Sequence, residues 1–290
     1  MNPSLSQPRT RWMSLDSWAL VAPMVVLFVL FFAGPLLLLV VASLLDESLG
    51  GPLRLANWTK FLSDGYNLGA IVRTLRLGAT IVCTTLLLAY PLALVARFGP
   101  GWLSRVIVLA ALLPFLTSVV VRSFSWIAIL SRDGALNTML TGLGIISEPL
   151  RLLPSELGLV FALTQIEIPL MLLPTLVALR RIDQRLTEAS QALGASTWRT
   201  LTRVVIPMSL PGLLAGSVFV FSSSVTAFVS QSIIGGSRLV YLSSIIYSGA
   251  MITFDWGAAS VAALVLLLSA GTVIAIALRI GGRAERAIYG

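Results

Sequence analysis

Histidine is absent from the 290-residue chain, cysteine and lysine occur once each, as Cys83 and Lys60, and only 11% of residues are charged. Each scarcity removes a class of chemistry. Without histidine there is no imidazole for general acid–base catalysis, for a serine-type triad or for the common metal sites. A single cysteine within an apolar run permits neither an intrachain disulfide nor a cysteine cluster around a metal. Lys60 is followed by Phe61 rather than Ser or Thr, so no G-x-x-x-x-G-K-[ST] phosphate loop can be drawn and no cofactor is implied. The shortage of charge matters most. A soluble domain is about 25% charged, whereas this chain is 57% apolar with a mean hydropathy of +0.95. A chain of this size has too little interior to hide that much apolar surface from water. A soluble enzyme is excluded.

Crossing about 30 Å of hydrocarbon takes about 20 apolar residues in a helix that satisfies its own backbone. Six segments meet this requirement: Trp18–Leu45, Leu68–Arg97, Trp102–Ser131, Gly158–Leu179, Gly212–Gly235 and Asp255–Arg279. The expected fold is therefore all-α, a polytopic membrane protein with six transmembrane helices. The first run exceeds the roughly 7–15 residues of a signal-peptide core and reads as a retained span. The chain then divides into a head, 1–17, a six-span domain, 18–279, and a tail, 280–290.

The net charge of +8 suggests nucleic acid or another anionic partner until the charges are sorted by side. With the N-terminus inside, the inner segments hold twelve arginines against four acids, and the outer segments hold seven bases against seven acids. The whole excess lies on one face, as expected where cytoplasmic loops collect Arg and Lys, so both termini are expected inside and nucleic acid is not needed. Pro23, Pro35, Pro91, Pro114, Pro169 and Pro174 fall within the spans, either as kinks repaired by neighbours or as breaks lining a path that changes shape. The two halves show no repeat, which argues against an inverted-repeat transporter. Trp12, Trp18, Trp58, Trp102 and Trp256 fall near span ends, where amphipathic rings settle, and Arg73 and Arg76 are placed to snorkel.

The longest inner segment, 180–211, is organised rather than a linker. Leu186, Ala189 and Leu193 recur at helical spacing, which predicts an amphipathic helix over Gln184–Leu193. Gly194 is placed as a left-handed stop, and Ser196 as the cap of a second short helix ending before Pro207. Such a helix–turn–helix fits close approach to a protein partner at Ala189, or an amphipathic hairpin lying on lipid headgroups.

Glu188-Ala189-Ser190, three residues, Gly194, nine residues and Val204-Val205-Ile206-Pro207 resemble the E-A-A-x3-G-x9-I-x-L-P loop of membrane subunits of binding-protein-dependent ABC importers. Glu188, Ala189, Gly194 and Pro207 match; Ser190, Val204 and Ile206 are small or aliphatic substitutions. Further likeness to the polyamine-type permeases lies in Ala89-Tyr90-Pro91-Leu92-Ala93, Leu113-Pro114-Phe115, Val121 to Trp126, Gly134-Ala135-Leu136-Asn137, Gly235-Gly236 and Asp255-Trp256-Gly257-Ala258-Ala259. The resemblance implies the type I importer permease architecture in a bacterial inner membrane. It also implies a non-catalytic subunit that works with a second permease, two ABC ATPases and a periplasmic solute-binding protein. In this reading Leu186, Glu188, Ala189, Ser190, Leu193, Gly194 and Pro207 carry coupling to the ATPase, and the solute is polar and amine-bearing, as polyamines are.

Arg122 and Glu167 are the two charges deep within spans, each costing about 2.5–3.5 kcal/mol near a helix centre. They fit either a structural ion pair between spans three and four or a passage in which Glu167 favours a cationic solute. Ser222, Ser223, Ser224 and Thr226 form a polar cluster in span five. Their hydroxyls either bond their own helix carbonyls or, for Ser222, Ser223 and Thr226, line the path. Two other functions compete: a self-contained secondary transporter or channel, which would work without an ATPase, and an intramembrane enzyme, for which two isolated charges make a poor site.

Overall fold

The structure, a computed structural model, describes residues 15–45, 55–236 and 239–289. Arg9, Arg11, Trp12, the charges at Asp46, Glu47 and Arg54, and Arg238 lie outside the described residues, as do the side chains of Asp16, Trp18, Arg283, Glu285 and Arg286.

Five helices are long and apolar enough to cross a membrane: Val21–Leu44, Gly65–Phe98, Glu156–Arg180, Thr197–Thr226 and Trp256–Gly282. The remaining span is a bent pair, Gly101–Leu116 and Val119–Gly142, whose arms meet at 106°. In chain order these are spans one, two, four, five, six and, for the pair, three. The chain is an all-helical, multi-pass membrane protein.

Caps explain several boundaries. The Asp64 carboxylate accepts from Tyr66 N–H at 2.9 Å to open span two, and Ser155 accepts from Gly158 N–H at 3.1 Å to open span four. Span two ends at Gly99, with Pro100 following.

Within span three, expected over Trp102–Ser131 with Pro114 as a kink or a break, the helix is broken. Thr117 and Ser118 are extended between its arms. Thr117 Oγ1 donates to the Pro114 carbonyl at 2.7 Å, and Ser118 Oγ accepts from Val120 N–H at 3.3 Å, so side chains serve backbone groups where the helix is interrupted. Span five departs too. Its helix starts within the inner segment, runs unbroken by Pro207 to Thr226, and breaks at Ala227 (φ −72°, ψ 52°); Phe228–Gly235 is a separate short helix. Another short helix, Leu242–Met251, lies between spans five and six.

Spans two, four and five form the core. Leu77 and Ile81, Leu159, Leu163, Met171 and Leu172, and Val220 pack together fully buried. Small residues set this closeness, since helices in lipid gain mainly from packing. A Cβ added at Gly212 would meet the Pro174 carbonyl oxygen at 2.6 Å, and one at Gly216 would meet Met171 Sδ at 2.8 Å. Span one lies at the opposite extreme: its apolar side chains, Met24, Phe31 and Leu38 among them, are exposed.

Span two also anchors the connection between spans five and six. Arg73 Nε donates to the Val240 carbonyl at 3.1 Å, and Leu242 N–H donates to Thr74 Oγ1 at 3.0 Å. Arg76 pairs with Glu156 at 2.5 Å. The two arginines therefore bind protein rather than snorkel freely. Burial pushes the phenol of nearby Tyr241 up to about 12, with Glu156 adding to the effect and Arg76 and Arg73 opposing it.

Candidate functional site

The inner hairpin is built from its ends inward. Arg97, at the foot of span two, donates from Nε to the Leu179 carbonyl and from Nη2 to the Ile182 carbonyl, both at 3.1 Å. The Leu179 carbonyl also accepts from Ile182 N–H at 3.3 Å, so Arg97 adds a second donor there and ties span two to the end of span four. Asp183 then caps Gln184–Ala192, accepting from Arg185 N–H at 3.0 Å. The helix closes with Ala195 N–H on the Ser190 carbonyl and Gly194 N–H on the Gln191 carbonyl, while Gly194 takes φ +83°. This is the left-handed stop expected of Gly194.

Ser196 caps the second helix as expected, accepting from Arg199 N–H at 3.3 Å. That helix does not end before Pro207. Thr197–Thr200 continues through a π turn, Leu201–Val205, into Ile206–Thr226. Ile206 N–H reaches back five residues to the Leu201 carbonyl, and the widened turn carries the chain past a proline that has no N–H to donate. The second helix of the hairpin is thereby continuous with span five, and Pro207 sits half-buried at the junction.

Across the hairpin Ser190 Oγ lies 3.0 Å from Thr200 Oγ1. Thr187, Gln191, Thr197 and Thr200 face a cavity of about 540 Å³ against Phe98 and Leu103 at the feet of spans two and three. The opposite side is uncovered. Leu186 is 45% exposed and Leu193 90%, Ala189 is exposed between them on the same helical face, and Glu188 is exposed on another side of the helix. Trp198, 72% exposed on the second helix, was missed by sequence reasoning. An aromatic residue within an otherwise polar segment was the available signal.

The second site lies within the spans. A cavity of about 460 Å³ is lined by Arg122, Glu167, Ser223 and Thr226, with Phe115, Val119, Leu163, Ile166, Leu170 and residues 227–230 completing its wall. Glu167 Oε1 accepts from Ser223 Oγ at 2.8 Å, joining spans four and five. Glu167 Oε2 and both Nε and Nη1 of Arg122 are buried without a hydrogen-bond partner among the described residues. The ion pair found among the described residues is Arg76–Glu156; Arg122 and Glu167 face one cavity unpaired. The Arg122 guanidinium lies 5.8 Å over the Phe115 ring instead.

Four of the five intramembrane candidates thus meet here, and Ser222 does not line the cavity. Thr226 Oγ1 also donates to the Ser222 carbonyl at 2.9 Å, the local bonding expected of a membrane hydroxyl. Ser224 is buried away from the cavity, its carbonyl accepting from Gln231 Nε2 at 2.9 Å. The wall contributed by Phe115, Phe228 and Ser230 was not foreseen, because both helix breaks create it. Ser123 Oγ and Ser230 Oγ, 3.2 Å apart, tie the two broken segments together.

Residues 85–284 match the family of the binding-protein-dependent transport system inner membrane component. The chain belongs to this family. The permease is 34% identical over 179 residues to the spermidine/putrescine transport system permease protein PotB of Haemophilus influenzae, a match covering 61% of this chain and 62% of that protein's length. It is 29% identical over 258 residues to the putative 2-aminoethylphosphonate transport system permease protein PhnU of Salmonella typhimurium, covering 87% of this chain and 88% of that one. Its fold resembles a chain from the crystal structure of a bacterial ABC transporter involved in import of the acidic polysaccharide alginate, with a TM-score of 0.76 at 19% identity over 92% of this chain and 95% of that chain. The permease is accordingly a multi-pass inner-membrane subunit of an ABC importer, and non-catalytic.

Proposed function

We propose that the permease carries a small polar, amine-bearing solute into the cytoplasm by alternating access, working with a second permease that is a paralogue, two ABC ATPases and a periplasmic binding protein. Both termini and the 180–211 hairpin face the cytoplasm in this reading, as the charge asymmetry requires. The Gln184–Ala192 helix docks in a cleft of the ATPase through Leu186, Ala189 and Leu193, with the exposed Glu188 offering a charge to the cleft from another side of the helix. Ser190 braces the hairpin, Gly194 sets its bend and Pro207 marks where it joins span five. Movement of the ATPase then re-aims spans four and five and opens the cavity to either side in turn, with Glu167, Arg122, Ser223 and Thr226 on the solute's route.

One observation carries the reading: the apolar face of the hairpin is turned away from the rest of the chain, while its other face lines a cavity against the feet of spans two and three. A face built to pack and left uncovered by its own chain fits a partner surface. Amine-bearing compounds also stand in the names of both relatives, spermidine/putrescine for one and 2-aminoethylphosphonate for the other. Gentle purification of the tagged permease tests the assembly. A different permease and an ATPase are expected to come with it; recovery of the chain alone, together with uptake that needs no ATP, would support a secondary transporter or channel instead.

A further inference from the structure

We infer that the cavity between spans three, four and five accepts a solute with two heads, an amine at one end and a carboxylate, phosphate or phosphonate at the other. The inference rests on the importer reading above and narrows its amine-bearing solute. The wall is mostly apolar, with Phe115, Leu163, Ile166 and Leu170 among its side chains, so its two charges stand out. Glu167 is 2% exposed, and with one oxygen held by Ser223 it keeps the other buried and free of any partner among the described residues. Arg122 keeps Nε and Nη1 buried without a hydrogen-bond partner among the described residues, with its guanidinium 5.8 Å from the Phe115 ring centre, so both donors remain for a ligand. Buried charged groups call for hydrogen bonds, and the two residues make none to one another.

A diamine would satisfy Glu167 and bring its second ammonium towards Arg122, a like-charge approach that selects against it. A solute with one head of each sign satisfies both residues and matches the zero net charge of the pair. Phosphate, phosphonate and carboxylate all suit the Arg122 fork, and the wall shown here does not require one over another.

The test compares equilibrium binding of radiolabelled putrescine, γ-aminobutyrate and 2-aminoethylphosphonate to the complete transporter purified into lipid nanodiscs without its binding protein. Putrescine and γ-aminobutyrate have carbon chains of equal length and differ in one head. At least one two-headed probe is expected to bind tenfold or more tightly than putrescine. Arg122→Gln is expected to shrink that preference about tenfold, Arg122→Lys to keep its order, and Glu167→Gln to weaken all three. Because the readout is a ratio within one preparation, a partial folding defect does not imitate it. Equal or tighter putrescine binding, a ratio unmoved by Arg122→Gln, or no binding of any probe at millimolar concentration would overturn the inference. Failure of the importer reading is seen earlier and separately, as a permease that purifies without an ATPase.

Discussion

Ser223 Oγ donates to Glu167 Oε1 across 2.8 Å, so the one carboxylate buried among the spans is held by the helix that the hairpin extends. This bond ties spans four and five at the level of the cavity, as Arg97 ties spans two and four at their feet. A hydrogen bond of this kind contributes about 0.5–1.5 kcal/mol, and more where its loss leaves a buried group unsatisfied. Ser223→Ala is expected to lower the thermal stability of the purified transporter by at least that amount. Ser222→Ala, at a position off the cavity wall, should stay within about 0.5 kcal/mol of wild type. Equal effects at the two serines would contradict the assignment.

Arg97 bonds two carbonyls flanking the last turn of span four, immediately before the hairpin begins. Its removal should loosen the link between hairpin and span rather than unfold the chain. Arg97→Gln is expected to leave the ATPase bound but reduce solute moved per ATP hydrolysed several-fold, while Arg97→Lys recovers part of the ratio. An unchanged ratio in Arg97→Gln would remove Arg97 from the coupling path.

Gly212 faces the Pro174 carbonyl and Ala178 Cβ at distances no side chain tolerates. Overpacking of a tight contact costs about 1–3 kcal/mol. Gly212→Ala should therefore lower the melting temperature in detergent, whereas Gly282→Ala, with nothing within 4 Å of the new methyl, should not. Similar melting temperatures for both variants would show that spans four and five part more easily than their packing implies.

At Gly194 the constraint is different. No atom lies within 4 Å of an added Cβ, so the φ of +83° alone opposes substitution. That conformation costs an ordinary residue about 1–2 kcal/mol, while Asn visits it more readily. Gly194→Val is expected to weaken ATPase association and transport, and Gly194→Asn to retain most of both. Loss of function in both variants would point to a partner surface pressed against this position.

Much of the architecture was legible in hydropathy because lipid imposes a length on each span. The hairpin was legible through residue types with local mechanisms, Gly194 for a left-handed stop and Ser196 for a cap. The helix breaks at Thr117 and Ala227 were not. Apolar runs such as Trp102–Ser131 read alike whether straight or bent, since broken backbone at membrane depth is satisfied by surrounding protein that no local pattern reports. Pro114 stood three residues before the first break, but proline alone does not separate a repaired kink from a break. The sequence likewise put Arg122 and Glu167 deep in the membrane without saying whether they pair. Whether they pair is decided by tertiary placement: Arg122 stands on the arm beyond a 106° bend, and Glu167 Oε1 is taken by Ser223 of another span.

The central claim is that the outward face of the 184–200 hairpin joins the permease to its ATPase. It is tested most directly by co-purifying Glu188→Arg and wild-type permease and measuring the ATPase recovered per mole of the second permease. A charge reversed at this exposed position should leave the chain in the membrane and the second permease bound, but lower ATPase recovery at least several-fold and abolish uptake. Undiminished ATPase recovery together with normal transport would contradict the account.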